Sequence, residues 1–339
     1  MQTFAATKED LLPQNTARKI FGLIRSEMDL VEAEFDRQAS SNVQVINYLG
    51  DYIRKSGGKR VRPALLVLAN YAVGGSGSGD SSIRLATVME MLHTATLVHD
   101  DIIDNADLRR SRASVNAKFG NQAAVLMGDW LYMSAFETSL KERSLEILDI
   151  LTRVTRKMTE GELIQLTMIG NASITRDEYF DILRRKTAYL FSGCAEIGAI
   201  LGGATHEEQI ALRDYGMNLG IAFQLADDLL DFTSEERALG KAAGADLIEG
   251  KITLPLILLQ EKDPEVRQEL GRIMHDGVYD EPARLIIASK LDEFGILHSI
   301  REIERSYARA ARKNLDILPQ TGYRSALDEI PNFVIDRNS

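Results

Sequence analysis

Two acidic words, DDIID at Asp100–Asp104 and DDLLD at Asp227–Asp231, have the residue types and spacing for metal chemistry. On a helix, side chains three and four positions apart are neighbours. Asp100 and Asp101 therefore lie beside Asp104, and Asp227 and Asp228 beside Asp231. Like charges at that spacing destabilise a helix by roughly 0.2–0.5 kcal/mol per pair. Each word also follows an apolar helical stretch, Leu92–Val98 for the first and Ile221–Ala226 for the second. Carboxylates carrying that cost in apolar surroundings call for a cation. Their hard oxygens suit Mg²⁺ or Mn²⁺ rather than zinc, and magnesium usually takes one or two carboxylates plus substrate phosphates. Two such clusters predict a ligand that brings phosphate oxygens of its own.

The basic words fit that ligand. In GGKRVRP, Gly57–Pro63, two glycines let the backbone turn tightly before Lys59, Arg60 and Arg62. Arginine offers phosphate a bidentate fork and lysine a point charge. Arg109 and Arg110 follow the first acidic word, where they either pair with its aspartates or bind the same phosphates. Lys186-Thr187 in KTA, Lys241 in GKAAGADLIEG and Lys251 in GKITLP are further phosphate donors. Taken singly, each reads as a surface lysine rather than a phosphate donor. His93 and His99 precede the first word on one helix, and His93 is either a phosphate donor or structural. No HExxH, GxSxG or Walker sequence is present.

These residues need helices to hold them. Ile20, Phe21, Ile24, Met28, Val31 and Phe35 recur at helical spacing in Thr16–Asp36. Similar patterns run through Ile83–Val98, Ala123–Leu140, Leu145–Leu166, Asp177–Leu201, Glu207–Leu230 and Glu281–Leu315. No alternating run bounded by turn residues marks a strand. The expectation is an all-α protein of ten or more helices. GGSGSGDSS, Gly74–Ser82, lacks nucleotide-loop spacing and reads as a flexible connection inside a single domain, 1–339. Residues 1–14 read as a flexible tail, with helices from about residue 15.

The chain has 339 residues, 45% of them hydrophobic, which suffices for a large core. A net charge of −10 argues against nucleic-acid binding, which needs a basic surface. The single cysteine, Cys194, excludes an internal disulfide and a Cys-rich zinc site and fits a reducing compartment. The N-terminus lacks a secretory pattern, and no apolar run reaches the length of a membrane span. A cytoplasmic protein without stable membrane insertion is expected.

Taken together, GGKRVRP, HDDIIDNADLRR, KTA, AFQLADDLLDF, GKAAGADL and GKITLP resemble the motifs of the trans-isoprenyl diphosphate synthases, in matching order and spacing. The resemblance covers about Gly57 to Pro255 and the flanking helices. It implies an all-α bundle around a deep central cavity, working as a homodimer. Asp100, Asp101, Asp104, Asp227, Asp228 and Asp231 match the two aspartate-rich motifs, which in the family hold three Mg²⁺ on an allylic diphosphate. Gly58, Lys59, Arg62, His93 and Arg110 match the site for isopentenyl diphosphate. Arg109, Lys186, Thr187, Gln224, Lys241 and Lys251 match positions near the allylic diphosphate. Asp100, Asp101, Asp104, Asp227, Asp228, Asp231, Lys186 and Arg109 are thus the expected catalytic set. Ser111 departs from the Gly that many members have there, with little expected consequence.

The implied reaction joins isopentenyl diphosphate head-to-tail to an allylic diphosphate, farnesyl or geranylgeranyl diphosphate being the expected primers. In the family, bulky aromatics four or five residues before the first Asp stop chain growth. Here Ala95 and Thr96 occupy those positions, with Met91 and Leu92 one turn below. These small residues favour a long-chain, all-trans product of about C30 to C50, since a close-packed interior admits a growing chain only where side chains leave room. Leu163 and Leu166 are candidates for a facing floor. Rival readings are a farnesyl or geranylgeranyl synthase, a class I terpene cyclase and a non-catalytic synthase subunit. DDLLD fits a cyclase's second metal motif poorly, and a subunit without activity would lose aspartates that are intact here.

Overall fold

A computed structural model describes residues 19–55, 57–110, 112–233 and 244–335. The expected tail at 1–14, Ser111 and Lys241 lie outside the described residues. The chain is all-α, with sixteen α-helices among the described residues. It divides into two compact units. The first comprises Met1–Thr155, Leu190–Gly216 and Asn314–Ile330, and the second Arg156–Tyr189, Met217–Lys313 and Pro331–Ser339.

In the first unit, α1 (Arg25–Gln38), α2 (Gln44–Arg54) and α3 (Val61–Ala72) precede the long α4 (Asp80–Ile103). α4 is the hub, contacting α1, α3 and α6. Its Leu85, Val88, Met89, Met91, Leu92 and Ala95 are at most 1% exposed. Burying one such leucine or methionine fully is worth about 1.5–3 kcal/mol. This helix ends in the first acidic word, so the core of the unit fixes where those aspartates emerge. Gly74–Gly79 forms the turn expected of the Gly/Ser stretch, but Asp80, Ser81 and Ser82 already belong to α4.

After α4 comes a two-residue antiparallel ladder, β1 (Leu108–Arg109) with β2 (Arg112–Ala113). It carries no strand signal, because two residues per strand are too few for alternation to show. Arg110, in the turn, has φ +52°, and Tyr52 donates its hydroxyl to the Ala113 carbonyl at 2.7 Å. α5 (Val115–Phe119), capped by the Ser114 hydroxyl, leads into α6 (Asn121–Ser139).

α7 (Leu145–Met168) and α8 (Arg176–Leu183) follow, the latter opened by a Thr175–Glu178 capping box. The helix expected over Asp177–Leu201 changes pitch midway. Arg184–Ala188 is a π-helical turn between α8 and α9 (Tyr189–Leu201), and it carries Lys186-Thr187. α10 (His206–Thr233) holds the second acidic word in its last turns. After α11 (Ala245–Ile248), α12 (Leu254–Lys262) and α13 (Val266–Asp276), the helix expected over Glu281–Leu315 is broken in two. α14 (Glu281–Glu293) stops before Gly295, whose φ of +61° suits glycine, and α15 (Ile296–Asn314) starts afresh. α16 (Gly322–Ile335) closes the described chain. In the second unit, Tyr179, Ile182, Leu225, Leu229, Leu254 and Leu270 belong to one apolar core.

Candidate active site

The three aspartates of the first word do not share one environment. Asp101 is 3% exposed, and its Oδ1 accepts from Arg109 Nε at 2.8 Å and also pairs with Nη2. Its backbone carbonyl accepts from Asn116 Nδ2 at 3.1 Å. Asp100 and Asp104 are half-buried, and Asp104 caps α4 with its N–H on the Asp100 carbonyl. The sequence left open whether Arg109 pairs with the aspartates or awaits phosphate. In this structure it pairs with Asp101.

Arg60, the residue before α3, is left-handed at φ +50° and ψ +34°. Gly58 and Lys59 before it are exposed, and Arg62 after it is half-buried. Arg62 Nη1 lies 3.0 Å from His93 Nε2. Arginine has no acceptor, so Nε2 must accept and the ring proton sits on Nδ1. Burial, followed by the surrounding Arg62, Arg110, Arg109 and Arg60 cations, holds this imidazole well below its ordinary range. His93 is therefore a neutral hydrogen-bonding group. The Arg110 guanidinium comes close to Gly58, with Nη1 2.8 Å from where a Cβ would sit. His99 is tied to α6 instead, its Nε2 3.2 Å from the Val125 carbonyl.

Of the chain-length positions, Ala95 and Met91 have no exposure and Leu92 has 1%. Thr96 is half-buried, its hydroxyl donating to the His93 carbonyl at 2.7 Å. Leu163 and Leu166, on α7 in the second unit, are exposed.

In the second unit the KTA residues and the second acidic word form one hydrogen-bonded chain. Thr187 Oγ1 donates to Gln224 Oε1 at 2.7 Å, and Gln224 Nε2 donates to Asp228 Oδ1 at 2.9 Å. Tyr179, which the sequence reading missed, donates to Asp228 Oδ2 at 2.5 Å. Asp228 is 4% exposed. Burial pushes its carboxyl up to about 8, with Asp246 adding to the rise and the Tyr179 and Gln224 bonds opposing it. Asp227 and Asp231 are half-buried, and Asp231 Oδ1 accepts from the Ala245 N–H at 3.2 Å. Lys186 Nζ lies 2.5 Å from Glu162 Oε2 and also donates to Gln165. Lys251 Nζ lies 2.8 Å from Glu249 Oε2.

Gly161 was also missed. A Cβ there would meet Arg185 Cβ at 2.6 Å and the Lys186 backbone nitrogen at 3.0 Å, so α7 approaches the π turn through a glycine. An isolated Gly inside a helical pattern is the available signal for such a close approach.

Among the described residues, no three histidine, cysteine, aspartate or glutamate side chains gather into a ready metal cage. Each word instead presents a half-buried pair four residues apart, Asp100 with Asp104 and Asp227 with Asp231. Such a donor set fits magnesium, which completes its shell with substrate phosphate and water.

Helices ending in two DDxxD words, a basic loop before a buried helix and a KT pair on a π turn define a class. The chain belongs to the polyprenyl synthetase family, whose model matches residues 43–284. It is a prenyltransferase that makes isoprenyl diphosphates, which sets the cyclase reading aside. An octaprenyl diphosphate synthase of Escherichia coli is 39% identical over 321 residues, covering 94% of this chain and 98% of that one. A geranylgeranyl diphosphate synthase of Methanosarcina mazei is 36% identical, covering 84% and 88%. The crystal structure of a Caulobacter crescentus polyprenyl synthase, complexed with calcium and isoprenyl diphosphate, matches with a TM-score of 0.89. It is 34% identical and covers 95% of this chain and 98% of that one. Family members use a divalent metal.

Proposed function

We propose that this protein extends farnesyl or geranylgeranyl diphosphate with successive isopentenyl diphosphates to an all-trans polyprenyl diphosphate. The observation that carries the long-chain reading is the small pair Ala95 and Thr96 just above the first acidic word. A chain of about C30 to C50 passes only where no bulky side chain fills the interior. Similarity to an octaprenyl synthase along 94% of the chain supports it.

Asp100 with Asp104 would hold Mg²⁺, as would Asp227 with Asp231, and the metal would supply Lewis-acid stabilisation of the departing diphosphate. Asp101 and Asp228 serve as anchors, already bonded to Arg109 and to Tyr179 with Gln224. Lys59, Arg62, Arg110 and neutral His93 hold the diphosphate of isopentenyl diphosphate. Arg109, Lys186, Thr187, Gln224 and Lys251 serve the allylic diphosphate, with Lys241 completing the set. Lys186 exchanges its protein partners for phosphate as substrate arrives. Once in place, these cations stabilise the negative charge on the leaving diphosphate. The double bond of isopentenyl diphosphate then attacks the allylic C1, and the released diphosphate takes the proton lost. Apolar walls must keep water out, since water would trap the allylic cation as an alcohol.

Similarity to a geranylgeranyl synthase supports a second, shorter-chain reading. Purified protein given Mg²⁺, isopentenyl diphosphate and farnesyl diphosphate, with products sized by mass spectrometry, separates the two. A ladder ending at about C30 to C50 is expected. A stop at C20, or condensation to C15 with geranyl diphosphate alone, establishes the short-chain reading, and no product from either primer establishes a non-catalytic subunit.

The protein is further proposed to be a homodimer. On α6, Leu126 and Met133 lie seven residues apart at 68% and 63% exposure, with Val125 alongside at 42%. An apolar stripe of that kind suits burial against a second copy. Light scattering should give twice the chain mass, and Leu126→Glu with Met133→Glu should halve it. A monomeric wild type would remove this part of the reading.

A further inference from the structure

The loop that begins GGKRVRP is held by a carboxylate from the middle of α4. Arg60 Nη1 donates to Glu90 Oε1 at 2.7 Å, while Arg60 Nη2 donates to Glu32 Oε2 at 3.2 Å and Nε pairs with the same carboxylate. Glu90 is 4% exposed and stands between Val88, Met89, Met91 and Leu92, all at most 1% exposed. A buried carboxylate costs several kcal/mol to desolvate and is stable only when paired and bonded. Burial accordingly pushes Glu90 up, and Arg60, Arg62 and Arg110 oppose that rise.

Arg60 also has a strained backbone. A left-handed residue other than glycine costs roughly 1–2 kcal/mol, so something must hold it there. A pocket walled by Phe35, Tyr52, Leu97 and Val98 opens against Arg60 and Glu90, so one side of Arg60 lacks packing to hold it. The ion pairs remain as the clamp. Lys59 and Arg62 lie on either side of Arg60 in sequence, and the Arg110 and Arg60 guanidinium groups meet at Gly58, 2.8 and 3.0 Å from where a Cβ would sit. One buried carboxylate thus stands among the cations assigned above to isopentenyl diphosphate.

We infer that Glu90 is a positioning residue for the isopentenyl diphosphate subsite, fixing the loop Gly57–Arg60 and the start of α3 through Arg60 and setting where Lys59, Arg62 and Arg110 meet the diphosphate. The inference rests on the proposed function and deepens it. Glu90 touches no substrate. It acts through the cations, so it bears on one substrate and not the other.

The test compares wild type with Glu90→Ala and with the isosteric Glu90→Gln, which keeps an oxygen for Arg60 but loses the charge. KM is measured for each substrate, and binding of isopentenyl diphosphate alone is followed by calorimetry. KM and Kd for isopentenyl diphosphate should rise about tenfold or more in Glu90→Ala and less in Glu90→Gln, while KM for the allylic diphosphate changes less than about threefold. Should Glu90→Ala fail to fold, Glu90→Gln still decides by the same split. Equal shifts for both substrates, or none, would overturn the inference while leaving the proposed function intact. A wild type that neither binds isopentenyl diphosphate nor condenses it overturns both.

Discussion

Tyr179 donates its hydroxyl to Asp228 Oδ2 at 2.5 Å, closing the second oxygen of a carboxyl whose first oxygen already accepts from Gln224. The matching position of the first word, Asp101, is likewise taken up inside the protein, by Arg109. In both words the second aspartate is buried and bonded inside the protein, while the first and third are half-buried.

Removing the Tyr179 hydroxyl should therefore weaken the protein before it weakens the chemistry. Tyr179→Phe leaves a buried carboxyl oxygen without its donor, which costs about 1–3 kcal/mol. Urea unfolding should show the loss, while turnover at saturating substrate falls far less than in Asp227→Ala. Unchanged stability in Tyr179→Phe would mean that the contact contributes nothing.

Gly161→Ala should act on the allylic site from a distance. The added methyl would press on Arg185 Cβ and on the Lys186 backbone, shifting the π turn that carries Lys186 and Thr187. Overpacking of this kind costs about 1–3 kcal/mol. KM for the allylic diphosphate should rise more than KM for isopentenyl diphosphate. An allylic KM equal to wild type would show that the turn tolerates the displacement.

His93 gives a pH dependence of known sign. Its folded-state pKa is lowered by burial and neighbouring arginines, so below its ordinary value near 6.5 the unfolded chain binds a proton that the folded protein does not. Its contribution to stability is complete above about pH 6.5 and declines as pH falls, by at most about 1.4 kcal/mol per pH unit. Urea midpoints at pH 5, 6 and 7 should converge less steeply in His93→Gln than in wild type. Parallel slopes would place the His93 proton elsewhere.

Product length should respond at two adjacent positions in different ways. Thr96 is half-buried, and Thr96→Phe should shorten the product with little loss of stability. Ala95 has no exposure, so Ala95→Phe should shorten it too, but at a cost of about 1–3 kcal/mol from overpacking. Mass spectrometry of products, beside thermal unfolding, checks both. An unchanged product distribution in both variants would remove these positions from the growth path.

Much of this was legible in the chain itself. The acidic words, GGKRVRP and the KT pair have fixed spacing, and helical periodicity places α4, α6, α7 and α10 within a few residues. What escaped depends on contacts distant in sequence. Glu90 reads as one acid on an apolar helix until Arg60, thirty residues earlier, is found on it. Tyr179 reads as core until Asp228 is seen at its hydroxyl. The unequal burial within DDIID and DDLLD was equally hidden, because spacing puts all three aspartates near one another and only packing decides which turns inward. The break at Gly295 and the two-residue ladder were missed for local reasons, a single left-handed glycine and strands too short to alternate.

The central proposal is that the outer aspartates of each word hold the divalent metal that condensation requires. Its most direct test is steady-state condensation as a function of Mg²⁺ concentration for wild type, Asp100→Ala and Asp227→Ala, with circular dichroism confirming intact helicity. Wild type should require the metal, and each variant should lose turnover by orders of magnitude at any Mg²⁺ concentration. Turnover near the wild-type rate in either variant, or full wild-type activity in chelator, would contradict it.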